Sequence, residues 1–223
     1  SLNNPRAQKG YLQAIALLNQ TGAAGKTTIS THLARPLHRD GAYVLLVDSY
    51  PQGSARDWAA VREDQPVPVV GIDRPTIERD LKSVARKDFV VIDGAPQAHD
   101  LAVSAMKAAD CVLIPVQPSP YDIWATSDLV DLVKQRIELT DGKLKAAFVV
   151  SRAIKGTKIG GEVTEALTGY GLPILQTRIT QRVIYPSSAA SGTTAIDQEP
   201  TSEAAEEIRA LAEEVRRFLN GTI

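Results

Sequence analysis

Apolar residues in this chain gather in short unbroken runs rather than in strict alternation with polar ones. Such runs stand at residues 12–18, 43–47, 67–71, 89–92, 111–116 and 146–150, with a shorter one at 173–175. Runs of this kind, rich in β-branched residues, suit strands buried on both faces. Helical patterns fall between most of them, notably at 27–39, 121–138, 159–170 and 202–219. Strand alternating with helix predicts a mostly parallel, twisted sheet with helices on both sides, a three-layer α/β/α domain. In such sheets ligands sit beyond the carboxyl ends of the strands. The loops after Leu18, Val47, Ile92 and Val116 are therefore where chemistry is expected.

The 223 residues suffice for one sizeable buried core. No long linker divides them, so residues 11–223 read as a single domain. Residues 1–10 lack the apolar centre of a signal peptide and read as a disordered leader or a remnant of cloning. The net charge of −1 gives no global positive field, so any nucleic-acid contact must come from a local basic patch. Cys111 is the only cysteine, which forbids an intrachain disulfide and fits a reducing compartment. No run of about 18 apolar residues exists, so no membrane helix is expected and the predicted location is cytoplasmic.

Residues 19–28 read Asn-Gln-Thr-Gly-Ala-Ala-Gly-Lys-Thr-Thr and lie between a strand and a helix. Small residues at Gly22, Ala23, Ala24 and Gly25 let backbone N–H groups close around phosphate oxygens. The helix that follows points its positive end at the same anion. Lys26 is placed for the β- and γ-phosphates, Thr27 for magnesium and Thr28 for the α-phosphate. The general pattern G-x-x-x-x-G-K-[ST] fits incompletely, because its first glycine falls at Gln20. The plain alternative is a strand–turn–helix connection with a solvated lysine. Asp48 and Asp93 end buried strands beside this loop. Asp48 is expected to bind magnesium through water or through Thr27, and Asp93 to hold the metal's water shell, or else each caps the next helix. Lys26 and Asp48 are the candidate catalytic groups.

Residues 19–28 resemble the deviant Walker A motif, N-Q-K-G-G-x-G-K-T-T, of the ParA/MinD ATPases, in which the first-glycine position is not glycine. Residues 47–54, Val-Asp-Ser-Tyr-Pro-Gln-Gly-Ser, are similar to the family's V-D-x-D-P-Q-G-S motif. Residues 89–96 resemble its Walker B strand. Residues 115–122 and 178–182 look like segments of small plasmid-partition ATPases of the ParF type. These matches run in family order across residues 12–199. The resemblance implies a P-loop ATPase that uses ATP and Mg2+ and dimerises face to face on ATP. It further implies that the dimer binds nucleoid DNA without sequence preference. A ParB-like adaptor then stimulates a slow hydrolysis that segregates plasmid, chromosome or other cargo.

Two positions depart from the pattern. The family's signature lysine, which crosses the dimer interface, corresponds to Thr21, and threonine is uncharged and too short. The second aspartate of V-D-x-D corresponds to Tyr50, a poor base at neutral pH. Ala23 in place of glycine is a milder change. The departures leave nucleotide binding expected and fast hydrolysis in question. One alternative is a nucleotide-binding switch or scaffold with little turnover. Another is a carboxysome-type positioning ATPase (McdA-like), in which a lysine later in the chain replaces the signature lysine. Lys155 or Lys158 would play that part, or else both are solvated loop charges. A metabolic P-loop kinase would need an acceptor pocket, and no charged cluster marks one.

Arg152 follows a strand pointing at the site, where it either stacks on the base or makes a surface ion pair. Residues 118–121 are expected to shape a loop near the dimer interface, or to be simple turn chemistry. Arg178 and Arg182 are the candidate DNA contacts, with Lys143, Lys145, Arg209, Arg216 and Arg217 as additions. Arg209, Arg216 and Arg217 share a helix with Glu203, Glu206, Glu207, Glu213 and Glu214, which reads as a solvated, ion-paired face. His32, His38, His99 and Cys111 show no metal-ligand spacing. Trp58 and Trp124 read as packing or interface residues.

Overall fold

The structure, a computed structural model, describes residues 11–22, 25–84, 86–96, 98–156 and 159–223. Its strands are β1 (Tyr11–Leu17), β2 (Val44–Asp48), β3 (Val69–Gly71), β4 (Lys87–Asp93), β5 (Cys111–Val116) and β6 (Lys145–Val150). They form one sheet in the order β3-β2-β4-β1-β5-β6, and every neighbouring pair is parallel. The helices are α1 (Lys26–Arg39), α2 (Ser54–Ala60), α3 (Ile77–Leu81), α4 (His99–Ala108) and α5 (Pro120–Ala125). They continue with α6 (Ser127–Leu139), α7 (Ile159–Thr168), α8 (Ile184–Ala190), α9 (Ala195–Gln198) and α10 (Glu203–Asn220).

Successive strand residues point to opposite faces, and each face has its own core. Ile15, Leu17, Leu46 and Val149 pack with Leu33 of α1 and Ile208, Leu211 and Val215 of α10. Ala14, Ala16, Val47 and Ile92 pack on the other side with Met106 of α4, Val133 of α6 and Leu167 of α7. Both faces of the sheet's centre are covered, so the inner parts of β1, β2, β4, β5 and β6 are continuously apolar. Each fully buried leucine or isoleucine contributes about 2 kcal/mol. The same burial fixes the register that brings Asp48 level with Asp93, and Asp93 level with Leu17, at the carboxyl edge.

Three expectations change. The run at 173–175 is not a strand but a single bridge, Phe148 to Ile174, because Pro173 has no N–H to extend a ladder. The helix expected over 121–138 is two helices. Thr126 separates α5 from α6, and its hydroxyl donates to the Ile123 carbonyl at 2.6 Å. The short helices α2, α3, α4, α8 and α9 did not stand out as apolar periodicity. Ser202 caps α10 by accepting the Ala205 N–H at 3.1 Å, and Gly221 ends it in the left-handed conformation. Among the described residues no helix is long and apolar enough to cross a membrane.

Candidate functional site

β1 delivers the chain to the carboxyl edge of the sheet, and α1 carries it away. Gly25 is the N-cap of α1 at φ 81°, a left-handed backbone that favours glycine. No side-chain hydrogen bond caps α1 and no acid lies in its first turn. Lys26 is buried, and its Nζ donates to the Thr21 carbonyl at 2.6 Å. Burial lowers the Lys26 pKa, while Asp93 and Asp122 act the other way. The loop is tied to its neighbours by side chains. Asn19 Nδ2 donates to the Pro115 carbonyl, and its Oδ1 accepts the Thr21 N–H at 3.2 Å. The Thr21 hydroxyl donates to Asp122 at 3.1 Å, and the other Asp122 oxygen accepts the Gln117 N–H. Thr21 therefore fastens the loop to the β5–α5 connection. Gly22 is exposed, and Ala23 and Ala24 lie outside the described residues.

Thr27 donates to Asp93 Oδ2 at 2.6 Å, and the Ser30 hydroxyl lies 3.4 Å from Asp93 Oδ1. Burial pushes the Asp93 carboxyl up to about 7, the neighbouring Asp48 adds to the rise, and the Thr27 hydrogen bond and Lys26 counter it. A buried carboxylate held this high is relieved by a cation. The Thr27–Asp93 pair thus fits magnesium: the threonine hydroxyl and the carboxylate would be the groups to hold it, and the ion would supply charge neutralisation beside Lys26. Asp48 is more heavily committed within the chain. One oxygen accepts the Tyr50 N–H at 3.0 Å, and the other accepts the Arg56 N–H at 2.9 Å and faces Arg56 Nε at 3.3 Å. These contacts match the helix-capping alternative, since Arg56 lies in the first turn of α2. The Tyr50 hydroxyl donates to Gln52 at 3.0 Å.

Gly94 follows Asp93 and donates its N–H to the Leu17 carbonyl at 3.0 Å. A Cβ at this position would lie 2.4 Å from that same oxygen, so the close approach of β4 to β1 requires glycine.

A cavity of 850 Å3 opens beside the first turn of α1. Gly25, Thr28 and Ile29 form one wall, Arg152 and Lys155 another, and residues 179–183 a third. It is of the size that small-molecule and cofactor sites have. Arg152 has φ 50° and is exposed at the rim. Arg182 also lines this cavity and is ion-paired to Glu203 at 3.4 Å and Glu207 at 3.7 Å. Arg178 donates to the Thr164 hydroxyl at 3.0 Å and does not line the cavity. The structure thus separates the two arginines that the sequence had bracketed together. Lys155 pairs with Glu203 at 3.1 Å, and Lys158 lies outside the described residues.

Other candidates have structural partners. Lys145 donates to the Phe218 carbonyl at 2.8 Å, capping α10. Arg209 donates to the Pro200 carbonyl, and Arg216 pairs with Asp40. Trp58 is buried and donates to the Thr193 carbonyl. Tyr121 and Trp124 on α5 meet edge to face, 5.6 Å between ring centroids, and stay largely exposed. The sequence reading missed Glu207 and Glu214. Both turn inward from α10 onto residues 176–180. Their spacing from Glu203, i+4 and i+11, puts all three on one stripe of the helix, a signal that was legible.

A lysine-bearing loop at the start of the first helix, with an acid ending the neighbouring strand, defines a nucleotide-binding domain of the P-loop class. The chain belongs to the CobQ/CobB/MinD/ParA nucleotide-binding-domain family, whose model matches residues 15–195. It is similar to the maintenance of carboxysome distribution protein A of Halothiobacillus neapolitanus, 31% identical over 94% of this chain and 95% of that one. It is also similar to the chromosome-partitioning ATPase Soj of Thermus thermophilus, 29% identical over 93% of this chain and 96% of that one. An ATP complex of a Cyanothece McdA variant superposes with a TM-score of 0.73 at 16% identity, over 92% of this chain and 96% of that one, and so shares the fold.

Proposed function

We propose that this chain is an ATP-dependent partitioning or positioning ATPase. Residues 22–28 hold the phosphates of ATP, with Lys26 turning from the Thr21 carbonyl to the β- and γ-oxygens. Thr27 and Asp93 hold Mg2+, and Asp48, level with Asp93, adds negative charge to the metal's outer shell. Magnesium supplies charge neutralisation at the phosphates. The adenosine lies in the 850 Å3 cavity, where Arg152 faces the base. The observation that carries this reading is the continuity of the cavity with Gly25 and Thr28 at the uncapped start of α1. On this reading ATP joins two copies, the dimer binds nucleoid DNA non-specifically, and a ParB-like adaptor stimulates hydrolysis to move a cargo. The protein acts in the cytoplasm, on the nucleoid.

Two details shape the reading. Tyr50 presents a hydroxyl bonded to Gln52 where the resembled family has a carboxylate, which favours slow turnover or a binding switch. The similarity to a carboxysome distribution protein supports a positioning role, and a lysine later in the chain is what the resemblance to that group implies. Lys155, at the cavity rim, is the described candidate. ATP turnover with and without DNA and adaptor tests the proposal. Stimulated turnover supports the motor, and tight binding with no turnover under any condition supports the switch. ATP-dependent dimerisation that survives Lys155→Ala removes that lysine from the account.

A further inference from the structure

Residues 175–181 run along β6, the edge strand of the sheet, without forming a strand. On the inner side the N–H groups of Leu175, Ile179 and Gln181 donate to the carbonyls of Phe148, Val150 and Ala153, each at 2.9 Å. On the outer side a further strand would ordinarily take the remaining N–H groups. α10 takes those of Gln176, Thr177 and Thr180 with carboxylates instead. Glu214 accepts from Gln176 at 2.7 Å and from Thr177 at 2.8 Å, one with each oxygen. Glu207 accepts from Thr180 at 3.0 Å, and its second oxygen accepts the Tyr185 hydroxyl. Glu214 is only 4% exposed. A carboxylate is not buried under a helix for packing alone, because its desolvation is offset only by the hydrogen bonds it accepts.

The segment held in this way becomes, from Ile179 onward, a wall of the cavity beside α1. Ile179, Thr180, Gln181 and Tyr185 line it. The wall is thus pinned by the sheet within and by Glu207 without, and Glu214 anchors the residues that lead into it. Tyr185 extends the connection, since its ring meets His32 of α1 edge-on at 5.0 Å between centroids.

We propose that Glu207 and Glu214 are positioning residues for nucleoside recognition. Glu207 holds Thr180 in the wall against which the base is read, and Glu214 holds Gln176 and Thr177 just before that wall, so the C-terminal helix controls how well the cavity discriminates a nucleotide from bare phosphate. The inference rests on reading this cavity as the nucleoside pocket. A purely structural role would lower stability and leave ligand preference alone. Positioning instead separates the two halves of the ligand, because tripolyphosphate touches only the loop of residues 22–28.

The test is equilibrium binding of MgATP and of magnesium tripolyphosphate to the full chain, with circular dichroism to verify folding. Glu207→Ala removes the acceptor of both the Thr180 N–H and the Tyr185 hydroxyl; with the wall then in place only about a tenth of the time, MgATP should weaken about tenfold and tripolyphosphate stay within about twofold. Glu207→Gln keeps an oxygen for the Thr180 N–H and should bind MgATP within about threefold of wild type. Glu214→Gln turns one acceptor into a donor facing a backbone N–H and should weaken MgATP severalfold without affecting tripolyphosphate, which serves if the alanine variant does not fold. Equal weakening of both ligands, or unchanged MgATP binding in folded Glu207→Ala and Glu214→Gln, overturns the proposal. A folded wild type that binds neither ligand overturns the nucleotide reading, and this inference with it.

Discussion

His32 lies one turn along α1 from Thr28 and is fully enclosed. Its Nε2 accepts the Ala195 N–H at 3.1 Å, and its Nδ1 sits 2.8 Å from the Thr28 carbonyl. An N–H donor at Ala195 requires a bare Nε2, so the proton resides on Nδ1 and is given to Thr28. A second proton would face a backbone N–H in a buried site. Burial accordingly pushes the imidazole from 6.5 down to about 4, although the Thr28 carbonyl and Asp197 act the other way. The folded chain therefore prefers the neutral ring more strongly than the unfolded chain does. The stability so gained is present above about pH 6.5 and is lost as the pH falls toward about 4. At about 1.4 kcal/mol per pKa unit the full window is worth about 3 kcal/mol, of which about 2 kcal/mol is lost between about pH 8 and about pH 5. Urea unfolding at those two pH values, for wild type and His32→Gln, measures it. The wild type is expected to lose about 2 kcal/mol more than the variant, and the comparison cancels groups such as Asp93 that titrate in both. Equal losses would refute the reasoning and show that His32 is not held neutral by its contacts.

Other outcomes follow from the same geometry. Gly94→Ala places a Cβ 2.4 Å from the Leu17 carbonyl and 2.6 Å from Leu18 Cδ2, so it should destabilise the fold by at least about 2 kcal/mol in urea unfolding. Asp122→Ala leaves the Thr21 hydroxyl and the Gln117 N–H without their acceptor, with an expected loss of about 1–3 kcal/mol by the same measurement and weaker MgATP binding. Tyr50→Asp restores a carboxylate to the V-D-x-D position and should raise steady-state phosphate release by at least about tenfold, towards what a general base contributes. Unchanged release would mean that the missing carboxylate does not limit turnover.

Much of the site was legible because its signals are local. A buried apolar run ending at Asp93, and a glycine-turned lysine loop after Leu18, each place chemistry within a few residues of a strand end. Asp48 shows the limit of that logic. Its position was foreseen, but Arg56, eight residues on, claims much of its hydrogen-bonding capacity, and only the turn between β2 and α2 brings Arg56 there. The helices α2, α8 and α9 are too short for periodicity to rise above its background. Counting charges misread α10. Glu206 and Glu213 are exposed as expected, while Glu207 and Glu214 turn inward because the neighbouring segment offers them unpaired N–H groups. Arg182 was grouped with Arg178 by sequence proximity, yet the bridge between Ala153 and Thr180 draws the segment of Arg182 along the cavity.

The central claim is that the loop around Lys26 binds MgATP. Calorimetric titration of MgATP into the folded chain and into Lys26→Ala tests it most directly. The account predicts one nucleotide per wild-type chain and an affinity at least about tenfold lower in the variant, since Lys26 carries charge-assisted hydrogen bonds to phosphate. A folded wild type that binds no MgATP, or a Lys26→Ala variant that binds it equally well, would contradict the account.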